Sequence, residues 1–229
     1  LEPCFDNEDV VMSDLTVVYY TSNREKPEFE SRICRTLSET AAGLPIISVS
    51  QKPIDLGRNI CVGDVGASSH NAWRQLQIGA AEAKTKFICT AESDFLYPRE
   101  YFDFKPDRED LAYIVKPLWV LFSQRGKARQ FAYKPRGSEA AMVVGRDYLV
   151  AGIEKVLDGY GQWGMGSANG DTFPYLLNVI NHERFLIDKP TVTFKTDQNM
   201  HRRTPHDVDS YRKDLPYWGN IYDLIGKYQ

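Results

Sequence analysis

The chain has 229 residues, 42% hydrophobic and 26% charged, an ordinary composition for a soluble protein and enough length for one domain with a full core. Its formal charge of −3 argues against global nucleic-acid binding and leaves room only for a local basic patch. No apolar run approaches the roughly 20 residues that cross a bilayer, and no signal peptide is visible; Cys4, Cys34, Cys61 and Cys89 lack metal-type spacing, and Cys34 and Cys89 fall in predicted core elements, so buried thiols there and a cytoplasmic setting are expected.

Residues 1–12 are acidic without a pattern and are read as an N-terminal extension to a single domain over 13–229. Leu15 to Tyr20 is a β-rich run ending in the polar Thr21-Ser22-Asn23, a strand and its ligand-side loop. Pro27 opens a helix whose Phe29, Ile33, Leu37 and Ala41 recur at helical spacing until Gly43. Pro45 to Ser50 is a second strand. Ser68 or Ser69 caps the next helix, with Trp73, Leu76, Ala80 and Ala83 on one face. Phe87 to Ala91 reads as a buried strand, and the alternation favours a parallel, Rossmann-like sheet over 13–98. Beyond it, Leu111 to Val115, Leu118 to Phe122, Arg129 to Lys134 and Ala140 to Val144 read as short strands of a mixed extension. Arg146 to Leu157 and Thr172 to Ile180 read as helices, Thr191 to Lys195 as a last strand, and 197–229 as a polar, histidine-bearing closing segment.

Glu92-Ser93-Asp94 stands at the end of the Phe87 strand, where the ligand crevice of an α/β sheet lies. Paired carboxylates there can hold a hard divalent cation, Mn²⁺ or Mg²⁺, which in turn binds a diphosphate. Neither a P-loop nor a dinucleotide glycine fingerprint occurs, which disfavours NTPase and dehydrogenase readings. Four histidines are present, and His201 and His206 sit close together beside Arg202 and Arg203. A glycine-rich stretch from Asp158 to Asp171 carries Tyr160 and Trp163.

The block from Gln77 through Gly79-Ala80-Ala81 and Phe87-Ile88-Cys89-Thr90-Ala91 to Glu92-Ser93-Asp94 and Pro98 resembles the central block of GT-A glycosyltransferases, the family-2-like group in particular. Glu92 stands where that family usually has Asp. The resemblance implies a GT-A type mixed sheet flanked by helices and a nucleotide-sugar donor, UDP-linked, bound through the metal. It places Asp94 and His201 on the metal, with His206 in reserve. Tyr20, Thr21, Asn23, Asp55, Arg58, Arg74, Glu92, Ser93 and Asp94 fall about the nucleotide sugar, with Gln51 in the loop beside Asp55. Asp171, at the end of the glycine-rich stretch, matches the last acid of the family's acceptor segment and is the expected general base of an inverting reaction. Glu139 and Asp158 are second choices, and Tyr160 and Trp163 face the acceptor. Arg125, Lys127 and Arg129 crowd a hairpin that also carries Lys134 and Arg136, which suits a polyanionic acceptor such as hydroxymethylated DNA. A neutral saccharide acceptor, a sugar nucleotidyltransferase and a non-catalytic binding module of the same fold stay open at this point.

Overall fold

Every residue of the first strand, β1 (Leu15–Thr21), is buried, as a parallel strand covered on both faces requires. The structure is a computed structural model that describes residues 14–123, 128–164, 175–198 and 209–229. After β1 come α1 (Pro27–Thr40), β2 (Ile46–Ser50), β3 (Arg58–Cys61), α2 (Ser69–Glu82) and β4 (Phe87–Glu92). Then follow β5 (Phe95–Leu96), α3 (Arg99–Asp103), β6 (Ala112–Phe122), β7 (Gln130–Tyr133), β8 (Met142–Gly145) and α4 (Arg146–Val156). The described chain closes with a 3₁₀ turn (Leu176–Asn178), β9 (His182–Lys195), β10 (Asp209–Arg212), β11 (Asp214–Leu215), β12 (Gly219–Asn220) and α5 (Ile221–Tyr228).

The expected Rossmann-like mixed sheet is present. β3, β2, β1 and β4 run parallel in that spatial order, and β8 then pairs antiparallel with β4. β6 is shared: β8 pairs with Ala112 to Ile114, β7 with Trp119 to Phe122, and β9 runs parallel along almost its whole length. Alternation along β1 divides the core. Val17 and Tyr19 join the cluster under α1 and α3, whereas Val18 and Tyr20 join the one under α2 and α4. A third cluster seats α5 through Ile221, Leu224, Ile225 and Tyr228 against Trp119, Phe131 and Phe194.

Several expectations are corrected. The two strands read at Leu111 to Val115 and Leu118 to Phe122 are one, β6, which continues through the Lys116-Pro117 peptide with a register shift against β9. Proline interrupts the apolar pattern, so a single long strand reads as two. Thr191 to Lys195 is only the end of β9, whose first stretch, His182 to Leu186, is exposed except for Phe185 and so hides the strand from a hydrophobic pattern. β3 is a polar edge strand with no apolar alternation to announce it. Of the helix expected over Thr172 to Ile180, the described part is the 3₁₀ turn alone, and residues 172–174 lie outside the described residues. The closing segment carries an amphipathic helix, α5, capped by Asn220, whose side chain accepts from the Tyr222 amide at 2.9 Å.

Candidate functional site

The chain leaves β1 for β2 and β3 on one side, then returns to place β4 on the other, so the strand order reverses between β1 and β4. A crevice outside the carboxyl ends of parallel strands forms at such a reversal. Here it is lined by Tyr20 and Thr21 from β1, by Arg24 and Glu25 after it, and by Glu92, Ser93 and Asp94 after β4. The N-terminus of α2 forms a further wall through Gly66, Ala67 and Ser68. Ser68 caps that helix by accepting from the Asn71 amide at 3.1 Å. Lys195, the last residue of β9, and Gln198 close it on another side.

Three carboxylates face this crevice, and they disturb one another. Burial and the charge of Asp94 push Glu92 up to about 7, although a hydrogen bond with Tyr20 and the positive charge of Lys195 pull the other way. Burial, and more weakly Asp94 and Glu30, push Glu25 up to about 7 against a 2.7 Å hydrogen bond donated by the Thr196 hydroxyl. Burial and the neighbouring Glu92 hold the Tyr20 phenol well above its ordinary value. Like charges this crowded favour binding a proton or a cation. Glu92, Asp94 and Glu25 are oxygen donors of the kind a hard divalent ion takes, so the donor chemistry fits such an ion. Among the described residues, however, no three acidic, histidine or cysteine side chains are gathered closely enough to hold a metal by themselves.

Tyr20, Thr21, Glu92, Ser93 and Asp94, expected about the nucleotide sugar, share the crevice wall. Asn23 and Asp55 line a second cavity of about 490 Å³ between α1 and the loop after β2, and Glu25 borders both spaces. Asn23, in the left-handed region at φ 51°, braces this junction. Its side-chain oxygen accepts from the amides of Gln51 (2.9 Å) and Lys52 (2.8 Å), and its amide group donates to buried Glu30. Gln51 in turn donates to the Gly66 carbonyl at 2.7 Å and so fixes the loop ahead of α2. Arg58 lies at the opposite end of the sheet, at the start of β3, paired with Glu82 at 2.6 Å. Arg74 sits on α2 with its guanidinium donating to Gln77 at 2.7 Å, and neither arginine lines the crevice.

On the acceptor side, the loop carrying Tyr160 and Trp163 is tied to α2. The Gly164 amide donates to the Asn71 side chain at 2.7 Å, and Tyr160 meets buried His70 edge-on at 6.2 Å. Glu139 accepts from the Trp73 indole (3.1 Å) and the Leu177 amide (3.2 Å), and burial raises its proton affinity. Asp158 is exposed on the same loop. Arg129 is exposed ahead of β7. Asp171, His201, His206, Arg202, Arg203, Arg125 and Lys127 lie outside the described residues.

Arg24, Glu25, Gln75, Lys195 and Gln198 line the crevice without having been singled out in the sequence, and Ser68, read there only as a helix cap, lines it too. The position of Arg24 and Glu25 just after the first strand was the one available signal. Lys195 ends the run read as a last strand, and it reaches the site because β9 pairs with β5 and β6.

No protein-family model matches the chain, and no curated protein matches it in sequence. Among solved structures it is similar to the bifunctional IspDF from Campylobacter jejuni (10% identity, TM-score 0.43, 77% of this chain and 50% of that one). It is also similar to residues 1–349 of S. aureus TarS (9% identity, TM-score 0.46, 79% and 60%). A third is a glycosyltransferase involved in glycosylation of the major capsid of PBCV-1 (14% identity, TM-score 0.41, 76% and 81%). The chain thus spans half to three fifths of the length of the first two. The strand order shows a mixed sheet whose parallel half carries the crevice, and the chemistry below is drawn from that crevice.

Proposed function

We propose that this protein is a glycosyltransferase that binds a nucleotide sugar, UDP-linked, with a divalent cation and passes the sugar to an acceptor hydroxyl. The observation that carries this reading is the meeting of Glu92, Asp94 and Glu25 with Arg24 and Lys195 in one crevice at the strand-order reversal. A site of mixed acids and bases suits a diphosphate bridged to the protein by a cation. Asp94, with Glu92 beside it and His201 from the closing segment, would hold Mn²⁺ or Mg²⁺, which neutralises charge on the departing diphosphate. The base and ribose extend into the adjoining cavity past Asn23 and Asp55.

In the reaction the bond between the anomeric carbon and the diphosphate oxygen breaks, and its electron pair leaves with the diphosphate. The acceptor oxygen bonds to that carbon from the opposite face and gives its proton to a general base, Asp171, so that configuration inverts. Tyr160 and Trp163, held against the α2 N-terminus, suit contacts with the acceptor. A sugar nucleotidyltransferase would use a glycine-rich basic first loop, which Thr21-Ser22-Asn23-Arg24 is not.

Calorimetric titration of UDP into the full chain, with Mn²⁺ or with EDTA, tests the reading. Binding is expected to strengthen with Mn²⁺, Asp94→Ala to abolish that gain with the fold intact, and His201→Ala to reduce it by a smaller factor. Mn²⁺-independent binding that survives Asp94→Ala unchanged would overturn the metal role.

A further inference from the structure

Lys195 is the one amine brought to the crevice by β9, and its backbone is fixed from several directions. Its carbonyl accepts from both the amide and the hydroxyl of Ser123, each at 3.1 Å. The preceding Phe194 amide donates to the Asp94 carbonyl at 2.7 Å, and β5 pairs with β9 at Phe95 and Thr193. The residue is therefore held at a set distance from the acidic turn, with its half-buried side chain in the crevice wall. Among the described residues no carboxylate lies within ion-pair distance of its ammonium, whereas exposed cations such as Arg58, Arg99, Arg108 and Arg146 each have one. The Lys195 charge acts on Glu92 only at longer range, so the ammonium is not locked in a close ion pair and stays available to an anion entering the crevice. The exposed Arg24 stands on the β1 side of the same crevice, so positive charge reaches it from two directions.

We infer that Lys195 is a phosphate-binding residue of this site, a counter-charge built into the protein for the diphosphate of the nucleotide. The inference rests on the donor reading above and goes beyond it by giving the diphosphate a second source of positive charge, independent of any metal. A flexible ammonium suits this task, since it can follow the diphosphate oxygens as charge builds on the departing group.

The test is titration of UDP and of uridine into the full chain, wild type and Lys195→Ala, with Mn²⁺ and again with EDTA. Loss of one charge-assisted hydrogen bond is expected to weaken UDP roughly 10- to 100-fold, whereas uridine, which has no phosphate, binds both proteins alike. Lys195→Arg should retain most of the affinity. Should the alanine variant melt early, Lys195→Gln supplies the neutral side chain with most of its bulk. Equal UDP affinity in the wild type and the neutral variant, or a parallel loss for uridine, would overturn the assignment. If UDP binding remains dependent on Asp94 and Mn²⁺ in that case, only the role of Lys195 falls. A wild-type chain that binds none of UDP, GDP and dTDP in either buffer overturns the donor reading together with it.

Discussion

Glu92 shows how one residue can set the pH behaviour of the site. Its carboxyl is raised from an unfolded value near 4.5 to about 7 by burial and by Asp94. The native state therefore holds a proton that the unfolded chain releases between those values, and stability falls as pH rises through that window. The shift corresponds to an upper bound of roughly 3 kcal/mol, reduced by the partial exposure of the group. In urea melts at pH 5 and pH 8, Glu92→Gln is expected to match the wild type at pH 5 and to exceed it at pH 8. Mn²⁺ should likewise stabilise the wild type more at pH 8, where a cation replaces the lost proton. A difference between the two proteins that does not change with pH would place the strain elsewhere.

Among the elements, two glycines mark where backbone and packing leave no room. Gly145 ends β8 beside the chain leading into β6, where an added Cβ would lie 1.9 Å from the Glu109 carbonyl oxygen. Gly79 on α2 sits over β1 and β2, where a Cβ would lie 2.4 Å from Val18 and 3.1 Å from Val49. Neither needs a left-handed backbone, so the cost of alanine is steric. Gly79→Ala meets side chains that can partly adjust and is expected to lose roughly 1–3 kcal/mol, the ordinary range of overpacking. Gly145→Ala meets backbone and should lose more. Chemical denaturation of the two variants checks the order; the reverse order would mean that the β8 end yields more readily than α2. The contact at Gly79 also bears on the site, because α2 carries Ser68 to the crevice.

For the whole molecule, an acidic chain brings several basic residues to one edge of its sheet, with Asp209 and Asp214 beside them. β10 pairs with β7 at that edge, which brings Arg212 and Lys213 from the closing segment beside Arg129, with the Lys213 ammonium donating to the Arg129 carbonyl. Tyr211 is 57% exposed among them, and the Arg212 guanidinium lies 5.1 Å from the Trp119 ring centre. Charged edge strands also prevent edge-to-edge pairing, so binding has to be measured rather than read from charge. A polyanionic acceptor predicts that duplex DNA binds at low salt, with log affinity falling by about 0.9 per phosphate neutralised as log salt rises. Arg125, Lys127 and Arg129 changed together to Ala should flatten that slope. An absent interaction at low salt, or an unchanged slope, would leave a neutral acceptor and an ordinary solvated edge.

Sequence by itself determined β1, β2 and β4 of the parallel half of the sheet, the helices α1 and α2, and the placing of Glu92 and Asp94 at a strand's end. Those features are written in contiguous runs and in the 3.6-residue spacing of Phe29, Ile33 and Leu37, which local chain geometry reads directly. Tertiary structure alone decided that Lys195 shares a crevice with Asp94, and that Thr196 donates to Glu25, 171 positions away. It also decided that Arg58 and Arg74 turn to Glu82 and Gln77 instead of the crevice. The physical reason is that strand pairing follows from burial summed over the whole sheet. No window around Lys195 holds the register of β9 against β6, and no window around Arg58 shows which end of the sheet it will occupy.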